Sequence, residues 1–244
     1  MTIDQVVSAL VYLLCAFAVF LVGKWIYDKL HPRFVLREEL LVRDNLALAL
    51  AMVGYYLGLV IAIGGVLEGT SYGLIEGLLD IFFYGLIAVI LLNVSALLND
   101  KVILRHFDNQ KEIIDDQNVG TGVIEAGNHV AVGRIVYGAI SGEGGDLLTA
   151  AAFWRIGQSV LILTGVLYNV MTPFDIHDEI ERDNAAVGIA LAGNLVAIGL
   201  VIFKAVFGEF IDWTQSLTAF ATFAIVGFVL LYICLLYTSP SPRD

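Results

Sequence analysis

Glu125 and His129 stand four residues apart in a stretch, 119–140, that is otherwise mostly glycine, alanine and aliphatic residues. On a helix that spacing places the carboxylate and the imidazole one above the other, close enough to hydrogen-bond. Asn118, Gly122 and Asn128 fall on the same face, whereas Arg134 falls opposite, among Gly120, Gly127, Ala131 and Gly138. A charged side chain at the centre of a bilayer costs about 2.5 to 3.5 kcal/mol on insertion scales, so such a face needs partners. Two chemistries fit. One is a polar path or proton-sensitive site built on Glu125 and His129 and lined by Asn194, Asn169, Gln158 and Asn93; the other is a helix-to-helix hydrogen bond that only fixes packing.

Arg134 and Arg155 are expected at similar depth, near the far ends of their helices. They would be balanced by an anionic ligand or by Glu76, Asp80, Glu143 or Asp146, or would reach headgroups by their long stems. His31, His106 and His177 fall one per linker and read as solvated residues. No Ser/His pair, paired aspartates or His-x-x-x-His spacing appears on helices that would face one another, so an enzyme, a metal site and a cofactor are not expected. Cys15 and Cys234 supply neither a disulfide framework nor zinc spacing.

These residues are held by a chain that is 59% hydrophobic and 15% charged, with mean hydropathy +0.84, well below the roughly 25% charge of soluble domains. Seven segments are long enough to cross about 30 Å of hydrocarbon: 7–26, 46–67, 73–98, 119–140, 147–170, 185–207 and from 217 onward. The first follows a stretch with Asp4 and no basic residue, which reads as a retained anchor rather than a secretory signal. A net charge of -11 argues against nucleic acid as a partner.

The segments repeat. Glu39 to Asn45, Glu112 to Asn118 and Glu179 to Asn184 are copies of an acidic residue, a short apolar run and an Asn that opens an apolar helix, with a glycine nine residues further on at Gly54, Gly127 and Gly193. The register continues through Gly122/Gly188, Ala126/Ala192 and Gly133/Gly199. Asn45, Asn118 and Asn184 are placed either to cap their helices or to gather helix N-termini around an anion; the glycines are placed for close helix packing. Each linker is expected to hold a short surface helix. Two long segments per copy make the repeat a membrane hairpin with successive copies parallel, an all-α polytopic membrane protein of seven transmembrane helices.

Lys29, Arg33, Arg37, Arg43, Lys101, Arg105, Lys111 and Arg182 all lie in the three long linkers, and the opposite loops carry no basic residue. The linkers are therefore expected in the cytoplasm and the N-terminus outside. Residues 234–244 break the repeat and resemble a translated sequencing adapter, so they are expected to be non-native and an eighth helix to complete the natural chain.

Helices opening on Asn45-Leu46-Ala47, Asn118-Val119-Gly120 and Asn184-Ala185-Ala186, repeated in hairpins over 7–233, resemble the bacterial YjfL-like family, domain of unknown function 350. Copy two departs from it most, with Gln117 in place of Asp. The resemblance implies four-helix units, here 1–140 and a truncated 141–233. It also implies the inner membrane, and partners related to phage-shock protein A, with ATP-grasp ligases as neighbours in some genomes. It transfers no catalytic residue. Expected partners are the lipid bilayer and a second copy in a homo-oligomer. The expected function is a pore or transporter-like protein with a polar intramembrane face; the alternative is a non-catalytic scaffold or envelope-stress component. The basic count generates a topological prediction: cysteines placed at Arg37, Lys101 or Arg182 will stay unlabelled by an impermeant maleimide in intact cells and react once the membrane is opened.

Overall fold

The computed structural model describes residues 3–68, 73–103, 108–142 and 144–238, with side chains described as far as 233. Among them are seven long helices and three short ones, and no strand: α1 (Ile3–Leu30), α2 (Leu36–Leu41), α3 (Leu46–Leu67), α4 (Leu74–Val102), α5 (Asn109–Ile114), α6 (Val119–Ile140), α7 (Leu147–Met171), α8 (Ile176–Glu181), α9 (Ala185–Val206) and α10 (Trp213–Thr238). The short α2, α5 and α8 are the linker helices that the sequence suggests, one before each Asn.

Six of the long helices, all but α6, are long and apolar enough to cross a membrane. The expected seven spans thus stand at six on apolar length. The reason is the polar content of α6, which no bilayer need tolerate because no residue of α6 is exposed. It has the same 22-residue length as α3 and α9 and lies between them, packed against both along its course. The inner row is therefore α3, α6, α9. α1 and α4 pack on α3, α4 and α7 on α6, and α7 and α10 on α9.

Small residues set the separation in the inner row, and they do so twice in the same register. Against α3, the contacts of α6 are Ala47 with Gly122, Gly54 with Ala126, Gly58 with Gly133 and Gly65 with Tyr137. Against α9 the equivalent contacts are Gly120 with Gly188, Gly127 with Ala192, Ala131 with Gly199 and Gly138 with Phe203. A Cβ added at Gly127 would sit 2.7 Å from the Cβ of Ala192, and one at Gly188 would sit 2.6 Å from the Cα of Gly120. Both are closer than van der Waals contact, so backbones touch where side chains would normally intervene. Gly193 does not follow its counterparts. Nothing lies within 4 Å of a Cβ placed there, because no helix among the described residues covers that face of α9.

Each inner helix begins with the same latch. Asn45 Oδ1 accepts from Leu48 N at 2.9 Å, Asn118 Oδ1 from Thr121 N at 3.0 Å and Asn184 Oδ1 from Val187 N at 3.4 Å, so each stands as the N-cap of its helix. The amide nitrogen then donates to the Glu that opens the motif: Glu39 at 3.2 Å, Glu112 at 3.0 Å and Glu179 at 2.8 Å. The same three glutamates accept the Asn backbone N–H through their carbonyls. Burial pushes the Glu112 carboxyl above the usual carboxylate range, and the Asn118 amide opposes that rise. The turn between needs a left-handed residue, supplied by Asp44 (φ 52°), Gln117 (φ 51°) and Asp183 (φ 59°). Aspartate accepts this conformation more readily than most residues.

In the first two copies the amide also crosses to the next repeat. Asn45 Nδ2 donates to Ile113 O at 2.8 Å and Asn118 Nδ2 to Ile180 O at 2.6 Å. Asn184 makes no such bond among the described residues. The asymmetry generates a matched prediction: Gly127→Val and Asn118→Ala will each lower the detergent unfolding midpoint, the latter by a loss of about 1 to 2 kcal/mol, while Gly193→Val and Asn184→Ala will lower it less. Equal losses at the paired positions would contradict the inner-row geometry.

Candidate functional site

α6 enters from its cap at Asn118, so Glu125 and His129 fall in its second and third turns, on the half nearer the linkers. Both are buried, at 7% and 4% exposure. Their direct link is not the expected carboxylate–imidazole bond. His129 Nδ1 lies 2.8 Å from the Glu125 carbonyl, and 3.7 Å from Glu125 Oε2. The ring of His129 meets Tyr55 edge-on, with centroids 5.3 Å apart.

The carboxylate turns instead to residues outside its own helix. Asn109, the first residue of α5, donates its amide to Glu125 Oε1 and to Asp100 Oδ1, both at 3.1 Å. The Asn109 amide nitrogen thus bridges the carboxyls of Asp100 and Glu125. A cavity of about 130 Å³ opens against this pair, walled by Tyr27, His31, Phe34, Asn93 and His129. Among the described residues that line it, none is Lys or Arg.

A second polar line runs beside the first. Gln158 of α7 donates to Asn99 Oδ1 of α4, and Asn99 donates to Asn128 Oδ1 of α6. Tyr55 closes a third junction, donating to Gly23 O at 2.9 Å and accepting from Asn93 Nδ2 at 3.1 Å. Beyond these groups the buried residues of α6 are Ala131, Val132, Gly133, Ile135, Val136 and Gly138, so the buried polar residues occupy the linker half of the helix.

The structure gathers Glu125, Asn128 and His129, and adds Gln158 and Asn93. It does not bring the rest of the expected site there. Asn194 is buried at 8% exposure, but neither its Oδ1 nor its Nδ2 has a hydrogen-bond partner, and it makes no bond to Glu125. Asn169 accepts from Ile176 N, the first residue of α8, at 2.9 Å, beside the N-cap Asp175. Arg134 is half-buried, with its guanidinium 5.7 Å from the Phe203 ring centroid, and Arg155 is exposed on the outer face of α7 beside Ser159. Neither arginine has an ion-pair partner among the described residues; Glu143 lies outside those residues and Asp146 is the N-cap of α7. Arg134 thus packs on an aromatic ring of α9 while Arg155 lies exposed on α7.

Among the linker histidines, His31 is not simply solvated. It stacks on Tyr27 at 4.1 Å and lines the cavity. His177 Nε2 lies 2.8 Å from Ile103 O, and His106 lies outside the described residues. Asp100, Asn99 and Asn109 were the residues that sequence reasoning missed. The apolar run of the third segment ends at Leu98, while the helix continues to Val102, so the two polar residues fall just beyond the hydropathic boundary although they still lie in the bundle.

Repeated helical hairpins with a polar central helix enclosed by apolar ones define an integral membrane protein. The chain belongs to the family described as Domain of Unknown Function (DUF350), whose model matches residues 1–140 and again 144–240. It is 22% identical over 192 residues to a UPF0719 transmembrane protein of Aquifex aeolicus (strain VF5), covering 77% of this chain and 69% of that relative. No solved structure matches it.

Because the Asn109 amide serves both carboxyls, its loss should be felt through them. Asn109→Leu will destabilise the protein by about 1 to 3 kcal/mol in detergent, and Glu125→Gln, which brings its own amide, will recover part of that loss in the double variant. Additive losses would mean that the three groups do not act together.

Proposed function

We propose that this is a bacterial inner-membrane protein, linkers in the cytoplasm, that works as a transporter-like carrier of protons or small cations through a polar site at its central helix. The observation that carries the reading is the Asp100–Glu125 pair, two carboxyl groups held on one Asn109 amide nitrogen at the wall of a cavity with no lining Lys or Arg among the described residues. Two buried carboxyl groups that share one donor repel each other when both are ionised, and a proton on one of them or a cation between them relieves that repulsion. Intramembrane ionisable groups that face the protein interior commonly mark such paths. The reading needs no catalytic residue, and takes the protein as a non-enzyme.

A second reading has its own support. The contacts of Gly54, Gly58, Gly127 and Gly133 bring α3, α6 and α9 together backbone to backbone, which suits a stiff membrane scaffold in an envelope-stress assembly with partners of the phage-shock type. Proteoliposomes separate the two. Native protein will collapse an imposed pH or cation gradient and Glu125→Gln will do so several-fold more slowly with its unfolding midpoint nearly unchanged. Absence of flux from native protein, with a lowered midpoint for Glu125→Gln, would favour the scaffold.

A further inference from the structure

The cavity beside α6 is lined by groups that accept hydrogen bonds and is short of groups that give them. The carboxyls of Asp100 and Glu125 share the Asn109 amide nitrogen. His129 gives its Nδ1 hydrogen to the Glu125 carbonyl, which can only accept, so in the neutral ring Nε2 holds a lone pair. Nε2 has no hydrogen-bond partner among the described residues, and neither has the Tyr27 hydroxyl. Both side chains line the cavity and are more than nine-tenths buried, yet neither atom is sealed over by protein. A buried polar atom left open in this way is costly until something fills the space beside it.

The rest of the wall narrows the class of occupant. A divalent metal ion calls for a shell of oxygen ligands, whereas no three His, Cys, Asp or Glu side chains among the described residues converge as metal ligands. A quaternary ammonium calls for open aromatic faces. The Tyr27 ring is flanked by His31 at 4.1 Å and by Tyr55 at 4.5 Å, so it offers the cavity its hydroxyl and not a free face. At the other end of the cavity stand Leu30 and Leu97, both exposed, with the half-buried Phe34. The polar groups therefore lie at the buried end and an apolar mouth opens on the linker side.

Resting on the carrier reading and giving its cation a class, we infer that the cavity binds a small primary alkylammonium, its head among Glu125, Asp100, His129 Nε2 and the Tyr27 hydroxyl and its carbon chain toward Leu30 and Leu97. The ammonium brings three N–H donors on a compact charge, which matches a wall of acceptors better than a bare ion does. Its charge also relieves the repulsion between the two carboxyls. The cavity, at about 130 Å³, is well below the roughly 300 Å³ of the smallest ordinary ligand pockets, which limits the chain to a few carbons.

The test uses the whole chain in detergent, with radiolabelled ethylammonium as the probe in equilibrium dialysis. Expected is saturable binding that unlabelled propylammonium displaces, with potassium, sodium and tetramethylammonium about tenfold weaker as competitors. Glu125→Gln will weaken binding about tenfold, and Tyr27→Phe and His129→Phe, which keep their rings, about threefold or more each. Leu97→Trp at the exposed mouth leaves the polar groups and the unfolding midpoint in place, and will weaken propylammonium more than methylammonium. Equal competition by potassium or tetramethylammonium, or an affinity unmoved by these four variants, would overturn the inference. Displacement by an ethanolamine phospholipid but not by free ethanolamine would assign the same ammonium chemistry to a lipid head group and overturn the free amine. Glu125-dependent flux of protons or sodium in a chain that binds no ethylammonium would overturn the alkylammonium alone; ethylammonium bound but not carried would overturn the carrier reading and leave the site.

Discussion

A helix that carries glutamate, asparagine, histidine and arginine within 22 residues cannot be offered to acyl chains, and α6 is not. Its enclosure constrains everything around it. To cover both flanks of one helix with two others of equal length, the backbones must approach closely, and they do so at glycine and alanine on each side. To keep those contacts aligned over the length of the helix, the three must also start at one level.

The Asn latch provides that level. In the first two copies its amide is shared between the glutamate of its own linker and a carbonyl of the next, so α3 and α6 are tied at their first turns to their own linker helix and to the following one, and α9 to its own. The repeated Glu and Asn are thus one device, with the left-handed residue before the Asn bending the chain so that both ends of the glutamate can be used. The glycine contacts lie along the helix and the latch at its end, which is why both repeat in the sequence at fixed spacing.

That division explains how far the sequence could be read. The hairpins, the linker helices, the Asn caps and the small-residue faces of α6 follow from local spacing and were legible in it. Gly193 carries the same pattern as Gly54 and Gly127 but has no neighbour, because spacing describes the face a helix presents and not what covers it. The site was half legible for a similar reason. Glu125, Asn128 and His129 share a helix, whereas Asp100 and Asn109 reach them only through the fold, one from the last turn of α4 and one from the first of α5. Arg155 matched Arg134 in expected depth, but expected depth does not tell which side chain finds a neighbour, and only Arg134 packs on a ring, that of Phe203.

The repeat also shows where chemistry has room to diverge. At the register of Glu125 the other copies place Met52 and Leu191, and at that of His129 they place Tyr56 and Leu195. The position of Asn128 is Tyr55 in the first copy and Asn194 in the third, polar in all three. A hydrogen-bonding group is therefore tolerated in every inner helix, but the carboxylate stands only in the one flanked on both sides. α3 has one open face and α9 has one, each presenting aliphatic side chains such as Val53, Val60, Ile189 and Leu200. Burying a carboxylate requires donors from several directions, and only the central helix has α4, α5 and α7 as well as both inner neighbours around it. The polar site is thus tied to the middle of the row by the same packing that makes the row.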